Sequence, residues 1–393
     1  MSPKVKPTRK KRSRLKKILL GIGLFFLFLL CTILSFLYFN YKQIVVTPNV
    51  EPTRAPNASP TPTPDPLAPF NILLLGYGGA GHDGGDLTDT MIVAHVEPKV
   101  KKVTLISIPR DLWVPIPTNG ESVIYSKINA AYAIGLDDRK YPNKLDIYKG
   151  QAGGGALAKY AVKQVLGEDV RYFASIDFSG FVRIIDALGG VDVNVPRTFD
   201  DNFYPIKGEE DNTCGYTAEE LAEIHKKYSG FQLEQQFTCR YEHLHFDKGV
   251  MHMDGATALK FVRSRHSDTD GSDFARSSRQ QALIQAAKDK VLSLGIINNF
   301  VPFVTQFASV LRTDVSISEG KKILDIMGDP RDYKIGTIVL STDNVLKDSF
   351  STDRQYILLP KAGQDNYSEI QSYIQSQLNP SPTPTKVTIP IKK

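Results

Sequence analysis

Apolar residues fall into two rhythms along this chain. Phe70 to Tyr77 (FNILLLGY) is a continuous apolar run of strand length, the pattern of a buried strand. Asp89 to Val96 and Val103 to Ile108 predict two more strands. Gly154 to Leu166 then sets Leu157, Ala161, Val162, Val165 and Leu166 at helical spacing. Tyr172 to Asp177 reads as a strand, Gly180 to Leu188 as a helix and Val191 to Val195 as a strand. This alternation predicts an α/β fold with a central sheet and helices on both faces. Residues 200–247 are polar and aromatic, break the rhythm and read as an insertion. Asp254 is placed to cap a helix, and Ala275 to Leu294 predicts a long one. From Asn298 to Leu378 the pattern is helical, with a strand near Lys334 to Leu340. That stretch reads as the last part of the same domain or as a subdomain of it.

The N-terminal pattern is of another kind. Ile18 to Phe39 is an uncharged run of 22 residues. At about 1.5 Å per residue it reaches across roughly 30 Å of hydrocarbon and predicts one transmembrane helix. A cleaved signal sequence is the alternative, but the run is long for one and no clear cleavage site follows. Residues 1–17 hold nine Lys/Arg and no acid, so the positive-inside rule places this arm in the cytoplasm and the rest outside. The expected location is a single-pass position in the cell membrane with the main domain extracytoplasmic. Val46 to Pro69 is dense in Pro, Thr, Ser and Ala and predicts a semi-rigid spacer, within a linker of residues 41–69. The tail from Asn379 has the same character and is expected to be disordered.

Charge and cysteine content refine this picture. The formal charge of +6 comes from the basic arm; without it, 39 basic residues face 42 acidic ones. A slightly acidic body excludes a general nucleic-acid surface, so no nucleic-acid partner is expected. Cys214 and Cys239 lie in the exported part, where disulfides persist, and are expected to pair.

Candidate chemistry concentrates in three segments. Arg263 to Gln281 (RSRHSDTDGSDFARSSRQQ) holds four arginines and three aspartates. Arginine forks match phosphate oxygens in pairs, and carboxylates hold divalent metals. Arg276, Arg279 and Gln280 share one helix face with the apolar Leu283, Ile284 and Ala287, so the first turn is expected to point charge inward. An inward guanidinium needs an anion, either a substrate phosphate or a structural Asp. In SIPRDLWVPIP, Arg110 sits at the C-terminal end of a predicted strand, where α/β sheets open their crevices. Asp111 orients Arg110 or assists proton transfer; a strand-end salt bridge is the plainer reading. In GYGGAGHDGGDLTDTMIV, Asp89 precedes a strand and fits a Mg²⁺ ligand completed by substrate phosphate, within what is otherwise a flexible Gly-rich hairpin.

Taken in order, NILLLG, DTMIV, SIPRD, KINAAYAIG, IDFSGF, ALGGVDV, MDGATALKFVRSR and GSDFARSSRQQ resemble the LytR–CpsA–Psr family of bacterial cell-envelope proteins. The resemblance covers roughly residues 70–294. It implies a three-layer α/β/α sandwich with a central mixed sheet and an apolar groove for a lipid tail. It implies a phosphotransferase that moves a glycopolymer, such as teichoic acid or capsule, from a polyprenyl-pyrophosphate carrier to peptidoglycan, with Mg²⁺ at the pyrophosphate. Carried over by position, Asp89 matches the metal-binding aspartate. Arg110, Arg263, Arg265, Arg276 and Arg279 match the pyrophosphate-binding arginines, with Gln280 beside them, and Lys127 and Asn129 match the family's K-I-N segment. The family usually carries an aspartate two residues after the LLLG glycine. Here Gly78 stands there, so the metal shell is thinner or is completed by Asp83, Asp86 or Asp273. A pyrophosphatase acting on the same carrier and a non-catalytic lipid-phosphate-binding regulator are the alternative functions.

Overall fold

Three strands, β1 (Phe70–Tyr77), β2 (Thr88–Glu97) and β3 (Lys102–Ser107), form an antiparallel meander. The hairpin of β4 (Trp113–Asn119) and β5 (Ser122–Lys127) follows. Helices α1 (Ala130–Leu136) and α2 (Gly150–Leu166) lead to β6 (Val170–Asp177), which pairs parallel to β1. Next come α3 (Phe178–Ala187), β7 (Val191–Val195) and β8 (Phe199–Pro205). The insertion carries α4 (Ala218–Lys227) and the single turn α5 (Phe231–Glu234). It returns through β9 (Tyr241–Phe246), β10 (Gly249–Met253), α6 (Gly255–Arg263) and α7 (Asp273–Ser293). The remainder supplies β11 (Leu311–Thr313), α8 (Ile317–Met327), β12 (Lys334–Val339), β13 (Leu346–Phe350), β14 (Tyr356–Pro360) and α9 (Ser368–Leu378). The computed structural model describes residues 45–46, 65–82, 84–120, 122–267, 273–295, 306–307 and 310–380.

The central sheet has the order β11-β6-β1-β2-β3-β12 and is mixed. Strands β1, β3, β6 and β12 run one way, β2 and β11 the other. Side chains alternate across it. Leu73 and Leu75 of β1 join Val93, Ile106 and Leu157 in the main core against α2, which also takes in Ile370 and Ile374 of α9. Ile72 and Leu74 point the other way, toward Ile284 of α7. A second core, built on Val191, Val193, Phe199, Phe261 and Leu283, lies on that side. The residues of β12 to α9 thus share the main core with β1–β3.

Helix α2 begins at Gly150, earlier than the apolar periodicity indicates. Gly153, Gly154 and Gly155 weaken a helix by propensity. Packing overrides this: a Cβ at Gly153 would strike the Gly135 and Tyr148 carbonyls, and one at Gly155 would overlap the Phe173 ring. Glycine lets α2 lie directly on α1 and the sheet.

One expectation is corrected. The stretch from Asn298 to Leu378 is not helical with one strand; among the described residues it holds β11 to β14. The missed strands β11 (LRT), β13 (LKDSF) and β14 (YILLP) are short and lack clear alternation, so periodicity does not resolve them. The linker is also pinned where it is described. Val46 is buried and donates its N–H to the Thr313 carbonyl at 3.0 Å, so the chain lies along β11. At the other end Asp65 pairs with Lys99 at 2.6 Å. The basic arm, the apolar run Ile18 to Phe39, most of the linker and residues 381–393 lie outside the described residues. Among the described residues no helix is long and apolar enough to cross a membrane.

Candidate active site

The C-terminal ends of β1, β3 and β6 and the start of β2 meet at one edge of the sheet. There the β1–β2 register steps from Gly76–Thr90 to Tyr77–Thr88, leaving Asp89 as the extra residue of a bulge. Bulges re-aim side chains, and the Asp89 carboxylate accepts from Nη1 of Arg110, three residues past β3. Arg110 Nε lies 3.6 Å from Asp111, whose other oxygen accepts from Lys127 Nζ at 2.6 Å. Acid and base thus alternate along the edge. Asn129 acts here through its main chain: its N–H donates to the Arg110 carbonyl, and its carbonyl accepts from Thr88 N–H at 3.2 Å.

The second set of cations comes from the turn between α6 and α7. Asp254 caps α6 by accepting from Thr257 N–H at 2.7 Å. The helix ends at Arg263, where the dipole favours a cation. The Arg263 guanidinium lies 4.3 Å from the Phe178 ring centre, and its Nη1 donates to the Tyr204 hydroxyl at 3.2 Å. Asp201 on β8 is fully buried and holds the turn. Its Oδ2 accepts from Ser264 Oγ at 2.6 Å, Arg265 N–H at 3.0 Å and His266 N–H at 3.2 Å. Three donors thus converge on this one oxygen. Sequence reasoning missed Asp201, because an aspartate inside a polar insertion carries no local signal.

Between the sheet and α3, α6 and α7 lies a cavity of about 630 Å³. Leu74, Ile92, Ile176, Phe181, Val262 and Ile284 make its body apolar. Asp89, Arg110, Arg263, Arg265, Arg276 and Gln280 line the same space. Gln280 is fixed by donating from Nε2 to Thr90 Oγ1 at 3.3 Å. Burial, with Arg110 and Arg276 nearby, pushes the Arg265 guanidinium down to about 10. Several positive charges therefore converge in a partly desolvated space. Burial, Lys207 and Arg263 also push the His82 imidazole down, so it adds little positive charge near neutrality.

Not every expected residue reaches this cavity. Arg279 does not line it. It is fully buried beneath the turn, donating from Nη2 to the Ser264 carbonyl at 2.6 Å, with its guanidinium 4.7 Å from the Phe199 ring centre. The inward face of α7 is divided: Arg276, Gln280 and Ile284 follow the cavity, Arg279 and Ala286 lean into the second core, and Leu283 touches both. Arg279 therefore positions the turn. Lys127 and Asn129 likewise act through Asp111 and the backbone and are not in the lining. Cys214 and Cys239 form a disulfide with a Cα–Cα distance of 5.7 Å.

Among the described residues no group of three or more His, Cys, Asp or Glu comes together to hold a metal ion. Asp83 and the side chain of Asp273 lie outside the described residues, and Asp86 is exposed. A Cβ at Gly78 would lie 2.9 Å from His82 Cβ, so the loop closes over the place where a side chain at 78 would start. Of the carboxylates expected to hold Mg²⁺, Asp89 is the one that lines the cavity among the described residues, with Oδ1 accepting from Arg110.

Relatives share this architecture. The chain is 27% identical over 313 residues to the polyisoprenyl-teichoic acid–peptidoglycan teichoic acid transferase TagU of Enterococcus faecalis, covering 79% of this chain and 80% of that protein. It is 28% identical over 257 residues to biofilm regulatory protein A of Streptococcus mutans, covering 64% of this chain and 51% of that one. The fold matches the crystal structure of Bacillus subtilis TagV with a TM-score of 0.51 at 24% identity, covering 80% of this chain and 99% of that one. It matches protein gbs0355 of Streptococcus agalactiae with a TM-score of 0.53 at 24% identity, covering 81% and 90%. The LytR_cpsA_psr family model matches residues 41–366, and the chain belongs to that family.

Proposed function

We propose that this protein is a membrane-anchored phosphotransferase that moves a teichoic-acid-like glycopolymer from a polyprenyl-diphosphate carrier to a peptidoglycan hydroxyl. One observation carries the reading: Arg110, Arg263, Arg265 and Arg276 converge on a cavity whose body is apolar. A prenyl diphosphate has that composition, a greasy chain ending in concentrated negative charge. The cavity volume falls within the range of about 300–1,000 Å³ usual for small-molecule sites. Crowded guanidinium groups are costly alone and favourable around an anion.

In the reaction, an acceptor sugar hydroxyl attacks the phosphorus that carries the glycan. A new P–O bond forms, and the bond to the bridging oxygen of the diphosphate breaks. Polyprenyl phosphate leaves, and the glycan ends joined to the wall by a phosphodiester. Arg263 and Arg265 neutralise the charge gathering on the leaving phosphate and the transferred group. Arg110, held by Asp89 and Asp111, fixes their position. Preorganised charge of this kind supplies most of the rate in phosphoryl transfer. Asp111, next to Arg110 but outside the cavity lining, takes the acceptor proton through exchange of its Lys127 partner. Mg²⁺ held at Asp89 would add positive charge at the diphosphate. The pinning of Val46 on β11 supports a domain held close to the bilayer by the span Ile18 to Phe39, outside the cell, with cavity-lining Leu311 on that same strand.

The test is transfer in vitro, with a polyprenyl-diphosphate-linked teichoic acid donor and peptidoglycan fragments. Wild type yields joined product, and Arg110→Ala and Arg263→Ala each lower the rate by about 10²–10³-fold. Release of sugar phosphate without joined product would mark a hydrolase. Normal transfer by both variants would end the assignment.

A further inference from the structure

The cavity lining has a second character. Arg263 lies between the rings of Phe178 and Tyr204 on β8. The same lining holds Phe203, Tyr241, His266 and Glu234, contributed by β8, β9, the α6–α7 turn and the insertion. None of these residues serves the diphosphate chemistry above.

This group is built, not incidental. Pairing of β8 with β9 steps from Asp201–Leu244 to Tyr204–Glu242, so two β8 residues, Asn202 and Phe203, oppose His243 alone. The bulge turns Phe203 toward the turn, and Asp201 Oδ1 fixes it by accepting Phe203 N–H at 2.9 Å. The same carboxylate holds Arg265 and His266 through its other oxygen. One buried group therefore sets the spacing between the cations and the aromatic rings. The insertion adds the rest. Phe231 stacks flat on His266 with ring centres 4.4 Å apart, and Phe203 meets Phe231 and Tyr241 edge-on at 5.1 and 5.7 Å. Glu234, one turn along from Phe231, brings its carboxylate 3.9 Å from His266 Nε2. Behind them Phe237 is buried under the Arg240 guanidinium, 3.9 Å away, close to the Cys214–Cys239 bridge.

Half-exposed rings beside a partly exposed carboxylate are a poor core and a good sugar platform. A pyranose presents a face of slightly positive C–H bonds, which complements the negative face of an aromatic ring. Its hydroxyl and amide hydrogens donate to carboxylates. We propose that Phe203, Tyr241, His266 and Glu234 form a subsite for the first sugar of the donor, a pyranose joined directly to the diphosphate. The inference rests on the prenyl-diphosphate reading and extends it to the glycan side. The disulfide-braced insertion is then part of donor recognition: it supplies Glu234 and the Phe231 ring that holds His266.

Two ligands separate this inference from its foundation. Full-length protein in detergent is titrated with a short-chain prenyl diphosphate, and with the same molecule bearing one N-acetylhexosamine. Wild type binds the glycosylated form more tightly, by about 3- to 10-fold, the scale of one aromatic contact plus a hydrogen bond. Phe203→Ala and Tyr241→Ala remove that advantage and keep the affinity for the bare diphosphate, which doubles as the check that the site is folded. Glu234→Gln, at a partly exposed position, reduces the advantage without touching a ring. Equal affinity of wild type for the two ligands overturns the subsite, as does equal weakening of both ligands in every variant. Failure of wild type to bind the bare prenyl diphosphate sinks the underlying reading, and the subsite with it.

Discussion

The two faces of the central sheet come from the same strands and are packed to different ends. On the α2 face, Leu73, Val93, Ile106 and Leu157 are at most 1% exposed, and Gly155 is needed because even a methyl group would overlap Phe173. On the α7 face, Leu74, Ile92, Ile176 and Ile284 line a hollow of about 630 Å³. Unfilled apolar volume forgoes dispersion contacts and costs stability, so a chain that packs one face so tightly has a reason to leave the other open. The closed face holds the strands rigid. The open face spends that rigidity on aiming Asp89 and Arg110 from strand ends and Arg263 and Arg265 from one clamped turn.

Substitutions on the two faces should therefore fail in opposite ways. The largest divergence is expected between Arg263→Ala and Leu157→Ala. The first lowers transfer by about 10²–10³-fold and leaves the melting curve nearly unchanged. The second costs about 2–5 kcal/mol of stability and leaves the turnover of the remaining folded protein intact. Thermal melts beside transfer rates decide it. If Arg263→Ala unfolds the protein, the arginine is structural and the contrast between the faces disappears.

Adding volume is a finer probe. Gly155→Ala forces a methyl group into the Phe173 ring and is expected to cost about 1–3 kcal/mol. Ala174→Leu puts three more carbons into the hollow from the neighbouring residue of the same strand as Phe173. It should hold or raise Tm while raising KM for a long-chain prenyl donor more than for a short one. Equal loss of stability in both variants would mean that the α7 face is as full as the other.

Much of this arrangement could be read from the chain, and the residues show why. Phe70 to Tyr77 and Val191 to Val195 are strands at the expected bounds, because unbroken or strictly alternating apolar residues leave little choice of period. Arg110 was placed correctly at a strand end by the same logic. The β4–β5 hairpin was not, since Pro115 and Pro117 argue against a strand; a two-stranded ribbon tolerates them because each strand keeps an open edge. Helical spacing put Arg276 and Arg279 together, yet the three-residue step between them is enough to send one to the cavity and the other under the turn. Asp201 was illegible because its value lies in main-chain N–H groups more than sixty residues away. Asp201→Asn tests that point. An amide accepts more weakly and brings two unwanted donors, so transfer should fall by about tenfold or more, with loss of the Arg265 and His266 amide protection in hydrogen exchange.

The smallest expected effect concerns the cost of leaving the charged end of the hollow without its anion. The Arg265 guanidinium is held down to about 10, well below an ordinary guanidinium, first by burial and then by Arg110 and Arg276. A base whose folded value is depressed binds its proton less tightly in the folded state than in the unfolded one. The charge therefore opposes folding at every pH below about 10, and the penalty fades as pH rises from there toward the ordinary guanidinium value. Arg265→Gln should accordingly raise Tm at neutral pH, by roughly 2–4 °C if about one kcal/mol is recovered. The gain should shrink in alkaline buffer, where wild type sheds the same charge. Affinity for a prenyl diphosphate moves the other way: it falls in the variant at pH 7, and in wild type it declines as pH climbs through about 10. A variant that loses both stability and affinity at pH 7 would show that neighbouring carboxylates already neutralise Arg265, and the charged end of the cavity would then have no need of a ligand.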